Sequence, residues 1–254
     1  MNVAIVIDIF HDKGNGTSMS ARHLVENLVE RGIGVKVLCD NAGQQNETMQ
    51  GVEFVTFPIQ QVPIYQKVIE QQHAWLASPN DARIKEALKD VDLVHIYMPF
   101  ALGTHCARIA HELKIPVLGC YHVSAENITF NAKMKYIPGA TPAMYELLKV
   151  YHYKPEWINN IHCPSRCIAS TLMGHLYNQN LHVISNGYDP AFKRIDNVKI
   201  PDGCEDKVIV TSVGRLTEEK RQDLIIKAVA KSKYRDRISL FLAGKGPKQE
   251  EYEK

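Results

Sequence analysis

Three clusters in this 254-residue chain have the residue types and spacing that chemistry on a phosphorylated small molecule requires. The first is Gly214-Arg215-Leu216-Thr217-Glu218-Glu219-Lys220. Arg215 and Lys220 flank a strand-to-helix turn, so a guanidinium fork, an ammonium and the positive end of a helix dipole suit a diphosphate. The same residues also read as a solvated cap, with Thr217 as N-cap and Lys220 exposed. The second cluster is Gly14-Asn15-Gly16-Thr17, between an apolar run and an amphipathic helix. Such a loop offers backbone N–H groups to an anion, glycine lets the backbone approach closely, and Thr17 is placed as N-cap. A turn that needs only positive φ is the alternative. The third is His122, ending an apolar strand, where open α/β sheets bind ligands. A histidine there hydrogen-bonds a substrate hydroxyl or serves as acid or base; a satisfied structural histidine is the other reading.

Other candidates are weaker. A dinucleotide fingerprint needs a third glycine where Met19 stands, although Asp40 mimics the ribose-binding acid, so a nicotinamide-linked oxidoreductase is an alternative with little support. Asp90 and Asp92 resemble a metal-binding acid pair, but they sit where a helix ends and a strand starts and read as solvated. His95 lies inside a strand and reads as packing. His162, Cys163 and Cys167 have no second ligand pair at zinc spacing, so no metal site is expected and both cysteines read as buried thiols. Gly244-Lys245-Gly246-Pro247 places a glycine turn before a proline at a helix N1 position.

These residues are positioned by short β-branched runs alternating with helical patterns, the mark of a parallel sheet covered by helices. Strands are expected at Asn2–Asp8, Val35–Cys39, Val52–Phe57, Asp92–Tyr97, Val117–His122, Asn160–Cys163 and His182–Ile184, and helices at Thr17–Arg31, 60–77, Asp81–Lys89, Gly103–Leu113, Pro142–Tyr151 and Ser165–Leu176. Ser124–Ile137 has weak periodicity and is expected as loop and irregular helix. After a polar stretch the rhythm restarts, with strands Val208–Val213 and Arg237–Ala243 around helix Glu219–Ser232. The expected division is a first Rossmann-like domain over 1–190, a linker over 191–206 and the beginning of a second over 207–254. Two strands do not bury a sheet on both faces, so that second domain is expected to be incomplete.

Composition bounds the partners. With 30 Lys+Arg against 28 Asp+Glu there is no basic surplus for a nucleic-acid backbone. Val3–Ile9 has no basic residue before it, is broken by Asp8 and is too short for a membrane span, so a cytoplasmic protein without a targeting segment is expected. Phe130–Trp157 interleaves Phe130, Tyr136, Tyr145, Tyr151, Tyr153 and Trp157 with Lys133, Lys135, Lys149 and Lys154. Docking on a lipid headgroup layer and packing in the core are both open for it.

The order and spacing of these motifs closely resemble the retaining glycosyltransferases of the GT-B fold, of the group 1 and family 4 type. The glycine loop is similar to that family's loop after its first strand. His95-Ile96-Tyr97-Met98-Pro99 and Ile115-Pro116 through Tyr121-His122 resemble its paired strand signatures. Val183-Ile184-Ser185-Asn186-Gly187-Tyr188-Asp189 resembles its crossover into the second domain, and Val213–Leu216 with Glu219-Lys220 and Leu242–Pro247 its nucleotide-diphosphate loop and next strand. The resemblance implies an α/β fold of two Rossmann-like domains and transfer of a hexose from a UDP- or GDP-sugar with retention of configuration. It implies Arg215 and Lys220 on the donor diphosphate, Gly16 and Thr17 near the donor phosphate or reacting sugar, His122 on a sugar hydroxyl, and Asn186 and Gly187 as a hinge. No cofactor and no divalent metal are implied; the acceptor is open, a glycolipid or polysaccharide precursor, with peripheral contact at the inner membrane face. The family's pair of glutamates eight positions apart has no counterpart before Lys254, and Glu250, Glu251 and Glu253 are on the wrong element. A C-terminally truncated chain with impaired transfer is therefore expected, and a non-catalytic nucleotide-sugar-binding remnant or interaction module is the alternative.

Overall fold

The computed structural model describes residues 1–41, 48–61, 75–134, 136–189, 191–196 and 198–253, and the chain divides into two compact units, Met1–Asp189 and Pro190–Lys254. The first is built on seven parallel strands: β1 (Asn2–Val6), β2 (Gly34–Asp40), β3 (Val52–Phe57), β4 (Leu93–Ile96), β5 (Val117–Cys120), β6 (Asn160–Cys163) and β7 (Asn180–Val183). Their spatial order is β3-β2-β1-β4-β5-β6-β7, so the order reverses between β1 and β4. The inner strands β1 and β5 read as mainly apolar runs because both faces are covered, whereas the edge strands β3 and β7 carry polar residues and are more exposed. Alternation divides them: Ala4 and Val6 join one core with Leu38, Phe57, Val94 and Ile96, while Val3 and Ile5 join the other with Val35, Val37 and Cys39.

Helix α1 (Gly16–Glu30) turns Ala21 and Val25 into the second core, with Leu24, Leu28 and Val29 partly buried beside them. Helices α2 (Asp81–Ala87) and α3 (Ala101–Glu112) contribute Ile84, Leu102, Ala107 and Ile109 to the first core. Then follow α4 (Ala125–Asn131), α5 (Ala140–Leu147), a π-helical turn over Leu148–His152, and α6 (Arg166–Gly174). Helix α4 corrects the irregular segment expected at 124–137. Ser124 caps it by accepting from the Asn127 N–H, but only Ala125 and Thr129 are buried, too few for a visible period. The helix expected over 60–77 falls mostly outside the described residues; at its edges Ile59 and Ala77 form an isolated antiparallel bridge.

In the second unit β8 (Val208–Val213) pairs in parallel with β9 (Ile238–Ala243), and α7 (Gln222–Lys231) connects them between short 3₁₀ turns at Glu218–Lys220 and Arg235–Arg237. Helix α8 spans Gln249–Tyr252. The described residues among 191–206, expected as linker, carry no strand or helix and group with this second unit. Among the described residues no helix is long and apolar enough to cross a membrane.

Asp8, His95 and the half-buried His122 are titratable groups at the first sheet that shape its pH behaviour. Asp8 follows β1; its Oδ1 accepts from the Ala77 N–H at 2.9 Å, its Oδ2 has no partner among the described residues, and burial pushes the carboxyl up to about 7. Burial also pushes His95 down to about 3 and His122 down to about 4. The histidines stay neutral in the fold while unfolded imidazole protonates below 6.5, so their stabilisation is present above 6.5 and is lost as pH falls toward 4. Asp8 works the other way: its contribution is present below 3.8 and lost as pH rises through about 7. Between these limits two histidines outweigh one aspartate, so the three groups together raise stability by about 1.4 kcal/mol per pH unit. Asp8→Asn keeps an oxygen for Ala77 and removes the opposing group. Urea unfolding over roughly pH 4.5 to 6.5 should show a slope steeper than wild type by about 1.4 kcal/mol per pH unit for this variant; an unchanged slope disproves the assignment.

Candidate functional site

In the first unit the candidate residues gather at the carboxyl ends of β1, β4 and β5, beside the reversal of strand order where open α/β sheets bind ligands. The glycine loop enters α1 there, but its cap is Asn15, not Thr17: the Asn15 Oδ1 accepts from the Thr17 N–H at 2.9 Å, and Thr17 lies in the first turn. Asp12 accepts from the Gly14 N–H. Neither Gly14 nor Gly16 has positive φ, which removes the turn reading. A Cβ at Gly16 would meet nothing within 4 Å, so neither backbone conformation nor packing within the chain asks for glycine there. The first turn of α1 has no acidic residue to offset its dipole.

His122 lies two residues beyond the end of β5. Its ring stacks flat on Tyr97, 5.1 Å between centroids and 2° between planes, and meets His162 edge-on at 5.9 Å. The His122 Nε2 is buried without a hydrogen-bond partner among the described residues. Burial first, and His162 second, hold the ring neutral, so near pH 7 it presents one N–H and one lone pair. Beneath it, His95 and His162 both face the Cys120 thiol, a cluster whose members are far apart in sequence.

Asp40 is buried, and its N–H donates to the Asp8 carbonyl, which ties it to the end of β1. Asp90 pairs with Lys36, and Asp92 accepts from the Asn2 N–H, so both acids have partners at the amino ends of the strands, away from His122. All six cysteines are free thiols; Cys163 is buried as expected, whereas Cys167 is exposed, on the outward side of α6. The aromatic segment divides. Tyr145 and Tyr153 are buried, their hydroxyls on Glu126 and the Cys120 carbonyl. Tyr136 and Tyr151 are exposed, and Leu147, Val150 and Tyr151 form an outward i, i+3, i+4 stripe along α5 and the π turn. Lys135 lies outside the described residues. Asn186 and Gly187 lie in an exposed segment without regular structure just before the unit boundary, where Gly187 takes φ +76°.

In the second unit Arg215 follows β8, and its Nη2 donates to Glu219 at 3.1 Å. Gln222 holds the Arg215 carbonyl. The helix begins later than expected: residues 218–220 form a 3₁₀ turn, Arg221 is left-handed (φ 53°), and α7 starts at Gln222. Thr217 caps the 3₁₀ turn by position only, since its buried hydroxyl makes no hydrogen bond among the described residues. The Lys220 side chain is exposed with no ion pair among the described residues. Gly244 and Gly246 serve packing: a Cβ on them would lie 1.9 Å from the Gly214 carbonyl oxygen and 2.3 Å from that of Leu216. Pro247, expected at a helix N1 position, precedes α8 by two residues.

A seven-stranded parallel sheet followed by a second α/β unit is an α/β fold of the GT-B type. The chain belongs to Glycosyltransferase Family 4, whose model matches residues 14–192; that of Glycosyl transferases group 1 matches residues 195–254. It is 27% identical over 261 residues to a GDP-mannose-dependent alpha-mannosyltransferase of Corynebacterium glutamicum, covering 97% of this chain and 58% of the relative. It is 26% identical over 258 residues to an alpha-monoglucosyldiacylglycerol synthase of Streptococcus pneumoniae, covering 97% of this chain and 56% of the relative. The chain thus spans less than two thirds of these curated relatives. The crystal structure of WaaG, a glycosyltransferase involved in lipopolysaccharide biosynthesis, shares the fold at a TM-score of 0.58 and 17% identity, covering 98% of this chain and 65% of that one.

Gly16 offers a direct test. Gly16→Ala fills no occupied space and relieves a helix of glycine, so thermal unfolding should show stability unchanged or raised by up to about 1 kcal/mol. Affinity for a sugar nucleotide, measured by calorimetry, should fall at least about tenfold if a ligand approaches that backbone. Unchanged affinity would mean that the glycine has no ligand to accommodate.

Proposed function

We propose that this protein transfers a hexose from a nucleoside-diphosphate sugar to an acceptor hydroxyl with retention of anomeric configuration. The observation that supports the reading most is the pair of cations on the loop after β8, at the place in the chain where the family's diphosphate loop stands. In this reading Arg215 and Lys220 grip the donor diphosphate and stabilise the charge that builds on the departing nucleotide. They do so without a metal on the diphosphate. Gly16 and Thr17 approach the donor phosphate or sugar, and neutral His122 hydrogen-bonds a sugar hydroxyl rather than donating a proton as imidazolium. Asn186 and Gly187 form the hinge segment. Retention is supported by the resemblance of the motif order to the retaining GT-B enzymes.

UDP and GDP are the donor nucleotides to compare first, GDP because the mannosyltransferase relative is GDP-mannose-dependent by name. Calorimetry of the purified chain should show binding of one of them. Arg215→Ala should weaken it about 10- to 100-fold, since it removes charge-assisted hydrogen bonds and leaves Glu219 facing the phosphates. Arg215→Lys should recover little, because an ammonium lacks the fork. Wild-type affinity in Arg215→Ala, or no binding of either nucleotide, defeats the proposal.

The acceptor in this reading is lipid-linked, presented at the inner face of a membrane to a cytoplasmic enzyme. Its support is the outward stripe Leu147, Val150 and Tyr151, with Tyr136 exposed and Lys154 nearby on the chain. The Streptococcus relative is, by name, a glucosyldiacylglycerol synthase. The protein should co-float with vesicles containing anionic lipid, and Leu147→Ser with Tyr151→Ser should cut the bound fraction at least about fivefold, the loss of two apolar side chains from the interface. Equal flotation of variant and wild type would remove this surface from the reading.

A further inference from the structure

We propose that His95, Cys120 and His162 form a binding site for a thiophilic metal ion, Zn²⁺ or Cu⁺, inside the first unit. The three residues come from the adjacent strands β4, β5 and β6. Cys120 is the register partner of His162, and Leu118, two residues earlier on the same face, is the partner of His95, so alternation turns all three side chains the same way. Their ligand atoms all lie within 4.8 Å of one another, and all three residues are buried.

His162 already holds the tautomer of a metal ligand. His162 Nε2 lies 2.7 Å from the Ile184 carbonyl, which can only accept, so Nε2 carries the proton and Nδ1 directs its lone pair at Cys120 Sγ, 3.1 Å away. A carbonyl anchoring the far nitrogen is the usual outer partner of a metal-bound imidazole. His95 Nε2 lies 2.8 Å from the same sulfur. That is shorter than the common N–H···O separation of about 2.9–3.0 Å, although sulfur is the larger atom. Without an ion the thiol donates to His162 Nδ1 and the His95 Nε2–H donates to the sulfur. A cation on the sulfur replaces both weak contacts with bonds to the two ring nitrogens.

On binding, the metal–sulfur bond forms, the thiol proton leaves to solvent, and His95 takes the tautomer with its proton on Nδ1. Two imidazoles and a thiolate suit a borderline or soft ion and disfavour Mg²⁺ or Ca²⁺, which take oxygen ligands. The site does not depend on the transfer reaction. His122, edge-on to His162, is the residue through which occupancy reaches the candidate sugar site.

The test uses the chain carrying Cys167→Ser, which removes the exposed thiol, stripped of metal with a chelator and titrated with Co²⁺ under anaerobic conditions. One equivalent should bind with a thiolate-to-cobalt charge-transfer absorption that Zn²⁺ abolishes. Adding Cys120→Ser should eliminate the absorption, while Cys106→Ser or Cys163→Ser should retain it. His95→Gln and His162→Gln should each weaken binding at least tenfold, and these decide the matter if Cys120→Ser loses its circular-dichroism signature. A folded chain without the charge-transfer band, a band that survives Cys120→Ser, or histidine variants that bind as wild type would each overturn the site.

Discussion

The in-register parallel pairing of β5 with β4 on one side and β6 on the other is the constraint from which the first unit's site follows. Parallel strands carry alternate side chains to opposite faces, so this register alone brings His95, Cys120 and His162 onto one face. A slip of one residue would send the set to the other core and replace it with apolar neighbours. Beyond the last paired residues the chain continues in the same sense, and Tyr97 and His122 leave adjacent strands close enough to stack. The stack and the burial around it strip water from the imidazole, which is why the ring is neutral and why its remaining polarity is available to a ligand.

Much of this fold is legible in the sequence because parallel strands buried on both faces have no polar side: β1 and β5 read as mainly apolar runs, and β2 and β4 as apolar runs with one interruption each, at Lys36 and His95. Helix α1 is equally legible, since Ala21, Val25 and Leu28 keep helical spacing. Helix α4 is not, because its apolar contacts come from two small residues, and the start of α7 is not, because a left-handed Arg221 inserts a break that no propensity requires. Asn15 rather than Thr17 caps α1; both are good capping residues, and which one serves depends on where the loop leaves β1. His122 is recognisable at a strand end, whereas its neutral state and its partner Tyr97 depend on packing. The His95, Cys120 and His162 cluster joins residues 25 and 42 positions apart through the Cys120 contacts. No local spacing rule reaches that far, and the local trio His162, Cys163 and Cys167 misleads, since Cys167 faces solvent.

The glycines separate by physical cause. At Gly244 and Gly246 the neighbouring backbone occupies the place of a side chain, so the loops after β8 and β9 fit together only with hydrogen at those positions. Gly187 is required by its left-handed φ. Gly16 has neither cause. A residue type that is costly in a helix and unexplained by its own chain is best explained by what approaches it from outside, which gives the glycine loop a stronger functional case than the glycine turn after β9.

Arg215 shows why a salt bridge on such a loop does not argue against a ligand. Its carboxylate partner, Glu219, uses Nη2 and leaves the other guanidinium N–H groups to a second acceptor, and Gln222 fixes the backbone from which the side chain springs. A half-exposed pair of this kind contributes little to stability, so its rearrangement costs little. It restricts the arginine to few rotamers, and that lowers the entropy lost when a diphosphate arrives. The exposed ammonium of Lys220 adds charge without geometry. In the proposed diphosphate site orientation would come from the constrained guanidinium and attraction from the exposed lysine, a division that neither residue type supplies alone.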